Sequence, residues 1–288
     1  MIATVLNTVK SLRLNLVAER DHAAPEYSLH SKALHDFFVS FHMTWLKPSS
    51  SIQHLTLSCD RRIGFLPYLD LTDVHFPRLK RLVLNKFTFA VGSHLTWIIS
   101  HASTLTALYL DEYSILYDVG IYEDYLSNVP FSKSEMEQRE YPPTNTDFIG
   151  KIMEDSYFHS YEKRWHHFFD TFRTSLPHLR GFRMGLGPDE YDATPTKTSM
   201  PFDREGDIRM GPMAERYMGF YFDGCYGWDE IDEEDTYMRM PPRCDEERRV
   251  ALRALLRETG QAEGEGEGDW EVRRDGVAHV VRDFVQTK

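Results

Sequence analysis

The stretch Leu79-Lys-Arg-Leu82-Val-Leu84 and its echo 26 positions later, Leu105-Thr-Ala-Leu108-Tyr-Leu110, share one pattern: apolar-x-x-apolar-x-apolar. Upstream the same pattern reads Ile52-Gln-His-Leu55-Thr-Leu57 and Val9-Lys-Ser-Leu12-Arg-Leu14, and downstream, more weakly, Leu179-Arg-Gly-Phe182-Arg-Met184. The middle apolar residues are 43, 27, 26 and 74 positions apart. Spacings of 27 and 26 fall within the range of about 20–29 residues in which one short strand plus its return connection repeats. The last half of each hexamer alternates apolar and polar, the period of a strand buried on one face.

Helical spacing fills the ground before several of these strands. Residues 31–47 place Leu34, Phe37, Phe38, Phe41 and Trp45 on one stripe, and Pro48 with a serine run ends it. Residues 93–101 place Leu95, Ile98 and Ile99 together, with Ser93 suited to the N-cap. Residues 161–175 align Trp165, Phe168, Phe169 and Phe172 before Leu176-Pro177 and the next strand. Helix, short turn and strand is the unit of a solenoid with strands on one face and helices on the other. The expected fold is therefore α/β, an irregular leucine-rich-repeat-like solenoid with long loop insertions. It is irregular because the position that an asparagine usually fills, eight after the first apolar residue, holds Val17, Asp60, Phe87 or Tyr113.

The expected organisation is one domain over residues 1–258 and a tail over 259–288. Repeats are clearest over 5–187. Residues 188–244 form an irregular loop region with one strand at Tyr217 to Asp223. A closing helix over 245–258 carries Val250, Leu252, Leu255 and Leu256 on its apolar side, with acids leading and arginines following, as the helix dipole favours. Gly260 to Asp269 reads as a flexible acidic Gly/Glu linker, and the last segment as a hairpin turning at Asp275-Gly276.

The chain has 288 residues, 41% hydrophobic and 13% aromatic, enough to bury a core. It carries 33 Lys+Arg against 45 Asp+Glu, and residues 1–120 hold only 10 of the acids against 11 Lys+Arg. The net charge of −12 therefore resides in the second part, and disfavours nucleic acid and anionic membrane as partners. Cys59, Cys225 and Cys244 are too few and too scattered for a disulfide framework, and no Asn-x-Ser/Thr sequon or basic-then-apolar leader is present. A cytoplasmic or nuclear protein, not a secreted one, is expected. Phe87 to Leu110 has no charged residue, but its many serines, threonines and histidines exclude a membrane span.

No catalytic, cofactor-binding or metal-ligating set is expected. The Gly264, Gly266 and Gly268 run alternates with glutamates that would repel a phosphate. The histidines form no HExxH, Cys-x-x-Cys or zinc-finger spacing, and His166 with Asp170, four apart, suits a surface hydrogen bond. The acids from Asp229 to Asp235 lack the alternation of a calcium loop; they suit a solvated loop or a basic peptide ligand. There is no Gly-x-Ser-x-Gly elbow, and Cys59 reads as a small packing residue.

The remaining candidate is a surface. If Leu55 and Leu57 point inward, alternation turns His54, Thr56 and Ser58 outward. The same register exposes Ser11, Arg13 and Asn15, then Arg81, Val83 and Asn85, then Ala107, Tyr109 and Asp111, then Arg183. Of these, Arg13, Asn15, His54, Thr56, Ser58, Arg81, Val83, Asn85, Tyr109, Asp111 and Arg183 make the candidate partner-binding face. Tyrosine and arginine are favoured at protein interfaces.

The run from Leu66-Pro-Tyr-Leu-Asp-Leu to Leu82-Val-Leu84, with Phe87-Thr-Phe-Ala, Leu95-Thr-Trp-Ile-Ile-Ser-His-Ala-Ser-Thr-Leu and Leu108-Tyr-Leu-Asp, resembles the repeat region of a family of fungal F-box proteins. The closing helix from Asp245 to Leu256 is similar to that family's end. The resemblance implies a substrate-recruiting region of a cullin-type ubiquitin ligase, whose N-terminal F-box docks on the ligase adaptor. Here Met1 stands almost directly before the first strand at Val9, so an adaptor is expected as a partner only where an F-box is encoded upstream. The expected function is non-enzymatic recognition of an as yet unidentified protein target. Alternatives are a hydrolase or metal-dependent enzyme assembled from distant residues such as His166, His167 and Asp170, and a repeat scaffold without a ubiquitin link.

Overall fold

The computed structural model describes residues 2–17, 31–59, 62–139, 156–186, 209–210, 217–221, 224–226, 239 and 244–261. The acids Asp229 to Asp235, most of the expected loop region, the Gly/Glu linker beyond Gln261 and the C-terminal hairpin lie outside the described residues.

The chain is mixed α/β and, among the described residues, contains no closed barrel. In chain order the strands are β1 (Ser11–Leu16), β2 (His54–Cys59), β3 (Arg81–Asn85), β4 (Thr88–Phe89), β5 (Ala107–Asp111) and β6 (Ser114–Tyr122). They continue with β7 (Ser156–Ser160), β8 (Gly181–Leu186), β9 (Arg209–Met210), β10 (Tyr217–Tyr221) and β11 (Gly224–Tyr226). The first sheet has the order β1-β2-β3-β5-β8-β9, its first five strands parallel and β9 antiparallel. Each of the five parallel strands starts within one of the predicted hexamers.

Their register aligns the repeats. Leu12, Leu55, Leu82, Leu108 and Phe182 form one row, and Leu14, Leu57, Leu84, Leu110 and Met184 the next. One hydrogen-bond device recurs before the strands. The Lys10 carbonyl accepts from the N–H groups of both Gln53 and His54, Gln53 from Lys80 and Arg81, Lys80 from Thr106 and Ala107, and Thr106 from Arg180 and Gly181. A carbonyl has two lone pairs, so each forked acceptor fixes the start of the following strand against its predecessor.

The helices are α1 (Ile2–Leu6), α2 (Lys32–Phe41), α3 (Gly92–Ile99), α4 (Trp165–Ser175) and α5 (Asp245–Glu258). Their apolar stripes join the sheet's leucine rows in one core that includes Phe38 and Phe41 of α2, Trp97 and Ile98 of α3, four aromatics of α4, and Leu255 of α5. Three details differ from the sequence reading. The helix before β2 passes into a π-helical turn, His42–Leu46, and Phe37, expected on the apolar stripe, is exposed. Ser93 lies inside α3 rather than capping it; Val91 is the N-cap, without a side-chain bond. On α5 it is Ala251 and Leu255 that are buried, while Val250 faces water.

A second sheet, absent from the sequence reading, has the order β11-β10-β6-β4, with β7 also pairing β6. It arises because β3 and β5 each turn through a residue with positive φ, Lys86 at 51° and Glu112 at 45°, into the further strands β4 and β6. Its apolar residues, including Leu116, Val119, Ile121 and Phe220, form a separate smaller cluster with Phe65 and Phe131. At the far side of the first sheet, the Gln261 amide brackets the backbone of Phe182, accepting from its N–H at 2.7 Å and donating to its carbonyl at 3.1 Å.

Between β2 and β3 the chain buries Phe65, Leu66, Leu69, Leu71, Val74, Phe76 and Leu79 with little regular structure. Its buried peptide groups need partners, and one face of α3 and the turn after it supplies them. Trp97 Nε1 donates to the Val74 carbonyl at 2.8 Å. His101 Nε2 accepts from the Phe76 N–H at 3.1 Å, so its proton sits on Nδ1, 2.9 Å from the Trp97 carbonyl. His94 has the opposite tautomer: Nδ1 accepts from Ala90 N–H, and Nε2 lies 3.3 Å from the Leu69 carbonyl. Both rings are buried and both must be neutral, because a second proton would confront an N–H donor. Among the described residues, no helix is long and apolar enough to cross a membrane.

Burial pushes His94 and His101 from 6.5 down to about 4, with the nearby His75 adding to the effect on His101. Between pH 6.5 and 4 the unfolded chain therefore binds protons that the native state refuses, and stability falls as the pH drops through that window. His101→Gln keeps one donor and one acceptor but cannot be protonated. Urea denaturation should show the variant less stable at pH 7, yet with a shallower decline toward pH 4 than the parent protein. An unchanged pH slope would refute the assignment.

Candidate functional site

On the side of the first sheet opposite the helices, register sorts the outward residues into three rows. Ser11, His54, Arg81, Ala107 and Gly181 form the first, Arg13, Thr56, Val83, Tyr109 and Arg183 the second, and Asn15, Ser58, Asn85, Asp111 and Gly185 the third. All eleven predicted face residues thus lie on one surface. Their exposure is graded. Arg13, Asn15 and His54 are exposed, and Arg81, Asn85, Tyr109, Asp111 and Arg183 are half-buried. Thr56, Ser58 and Val83 are buried, at 5%, 3% and 3% exposure, which corrects the expectation that they face solvent. They are short side chains on inner strands, with register neighbours on both sides, whereas alternation reports only the direction of a side chain.

Two arrangements stand out on this surface. The Tyr109 ring has the guanidinium carbons of Arg81 and Arg183 each 5.7 Å from its centroid. Such cation–π contacts hold an aromatic ring and two planar donor groups at one place. Beside it, Ser58 Oγ donates to Asn85 Oδ1 at 3.0 Å, and Asn85 Nδ2 donates to Asp111 Oδ2 at 2.7 Å. This ladder fixes which way the Asn85 amide points. At the same end of the strands Lys86 Nζ lies 3.7 Å from Glu112 Oε2, and the Arg62 guanidinium donates to the Glu112 carbonyl. The surface therefore offers an aromatic platform with cationic flanks next to a fixed amide and carboxylate. It suits recognition of extended polar chain.

Of the histidine candidates, His166 and His167 lie together on α4 with ring centroids 4.0 Å apart, but their polar groups are engaged differently. His167 Nδ1 accepts from the Arg164 N–H at the start of α4. Asp170 pairs with Arg173 at 3.3 Å rather than with His166, whose buried Nδ1 has no hydrogen-bond partner. Among the described residues, no group of three or more His, Cys, Asp or Glu could hold a metal ion. Cys59 is buried in the core, in keeping with a packing role.

Sequence reasoning missed a polar cluster in the second sheet. Asp118, fully buried in β6, accepts from both terminal nitrogens of Arg139 at 2.7 and 2.6 Å, from Ser160 Oγ at 2.7 Å and from Tyr221 Oη at 2.6 Å. Arg139 also stacks on Phe158, 4.4 Å from the ring centroid. Arg239 joins from afar: its N–H donates to Tyr221 Oη, its guanidinium to Ser160 and Glu137, and its carbonyl accepts from Tyr117. Burial, and then the Asp118 carboxylate, raise the Tyr221 phenol well above its ordinary value, so it stays a donor. With four donors on one carboxylate, the cluster is saturated and ties distant segments together. The only signal in the sequence was an aspartate in the apolar run of β6, which demands a buried cation.

Comparison of the chain with protein-family models, with curated proteins and with solved structures finds no match.

The two polar arrangements should differ in their weight. Arg139→Met leaves a buried carboxylate without its cation and should cost about 3–5 kcal/mol. Asn85→Ala, at a half-buried rung, should cost about 1 kcal/mol. Urea denaturation of the two variants checks the contrast, and equal losses would contradict it.

Proposed function

We propose that the protein is a non-enzymatic protein-recognition module whose sheet face, centred on Tyr109, takes the partner. The observation that carries this reading is Tyr109 held between Arg81 and Arg183 beside the Ser58–Asn85–Asp111 ladder. Fixing these groups before binding lowers the ordering cost of association. The architecture we propose is an irregular leucine-rich-repeat-like solenoid. The forked carbonyl recurring at Lys10, Gln53, Lys80 and Thr106 supports it, because one device serves successive units. Resemblance to the repeat region of fungal F-box proteins makes the partner a target recruited to a cullin-type ubiquitin ligase, provided an F-box is encoded upstream. Without one, the chain is a repeat scaffold with no ubiquitin link. The enzyme reading has less support, since Asp170 and His167 are engaged within α4 and its approach.

Site-specific photocrosslinking tests the face. A photoreactive phenylalanine placed at Tyr109 should trap one defined protein from lysate of the source cells. The same probe at Arg253, exposed on α5, should not. Arg81→Glu with Arg183→Glu should abolish the adduct. Equal trapping from both positions, or a stoichiometric zinc or manganese content in the purified protein, would defeat the proposal.

A further inference from the structure

The first sheet is finished differently at its two sides. At β8 the Gln261 amide occupies the Phe182 backbone, and β9 covers Gly185 and Leu186. At the other side β1 pairs β2 alone, and among the described residues no strand lies beyond it. The leucines show the consequence. Leu12, Leu14 and Leu16 of β1 are only half-buried, while Leu55, Leu57 and Cys59, their register partners on β2, are buried. Val17, the next residue, is 68% exposed. Proteins usually guard such an edge with proline, a bulge or several charges. Ser-Leu-Arg-Leu-Asn-Leu has no proline, a single charge, and an unbroken register with β2.

We propose that β1 pairs antiparallel with β1 of a second copy of this chain, about a two-fold axis at Leu14. The residues of β1 choose both the partner and the register. Centred on Leu14, the pairing sets Leu14 against Leu14, Leu12 against Leu16, and Arg13 against Asn15. Every half-buried leucine meets a leucine on the same face, and no like charges oppose one another. Centred on Arg13, the pairing would oppose the two arginines and set Leu16 against Lys10. Centred on Asn15, it would set Leu12 against Ala18 and leave only one leucine pair type, Leu14 with Leu16. The antiparallel edge contact is isologous and closes at two copies. It joins two five-stranded parallel blocks into one sheet. Both Tyr109 surfaces then face the same way, so the assembly presents two recognition faces on one side.

Sedimentation equilibrium of the full chain, over a wide range of protein concentration, tests the pairing through Asn15, an exposed residue whose replacement leaves the core intact. The parent chain should dimerise reversibly. Asn15→Glu sets a carboxylate opposite Arg13 twice per dimer and should tighten the dimer by about fivefold, while Asn15→Arg should weaken it by about as much. Raising the salt concentration should shrink both shifts. Matching far-UV circular dichroism and melting temperatures show that each variant is folded. A parent chain that stays monomeric at every concentration overturns the proposal and leaves the edge to a strand from another protein. A dimer that responds to neither substitution, or to both in the same direction, overturns it too.

Discussion

A buried chain segment without helix or strand must still find partners for its peptide groups, and the architecture here hinges on how residues 65–79 do so. The segment carries a large share of the apolar core, yet its own backbone bonds are few. Trp97, His94 and His101 meet its groups from α3 and the turn that follows it, at positions three, four and seven apart that fall on one helical face. The leucines of 65–79 then have a fixed backbone from which to meet those of β2 and β3. Spending two histidines on this task ties the fold to their neutral form.

Much of the first sheet was legible in the sequence because its physics is local. A hexamer spaced at 26 or 27 residues places apolar residues on one side of a strand, and the five hexamers lie side by side in register. Helices α2, α4 and α5 followed from spacing and breakers in the same way. Of the second sheet only β10 was legible, as the strand expected from Tyr217, and the rest was illegible for the opposite reason. Ser114-Ile-Leu-Tyr-Asp-Val-Gly-Ile-Tyr does not alternate, since β6 is buried on both sides, and an aspartate interrupts it. What makes that aspartate tolerable, Arg139 and Tyr221, lies 21 and 103 residues away. Pairing at such distances leaves no periodic trace.

The candidate face shows the same boundary. Alternation identified which residues share a surface, from Arg13 on β1 to Arg183 on β8. It did not reveal that Thr56, Ser58 and Val83 are shielded, nor that Tyr109 would lie between two arginines drawn from different strands. Both depend on which strands become neighbours. The 74-position gap before Phe182 did not hide that Arg183 continues the row, and β8 does follow β5 directly in the sheet.

Gln261 gives the two sides of the first sheet different prospects. A protein with two open strand edges can add copies at both and run on into a fibre, because each addition recreates the edge that was used. Here a side-chain amide has taken the hydrogen-bonding place of a neighbouring strand at Phe182, so the β8 backbone there is not open to an incoming copy. A copy joining at β1 would find no matching open backbone at Phe182, and that asymmetry favours a finite assembly over polymerisation.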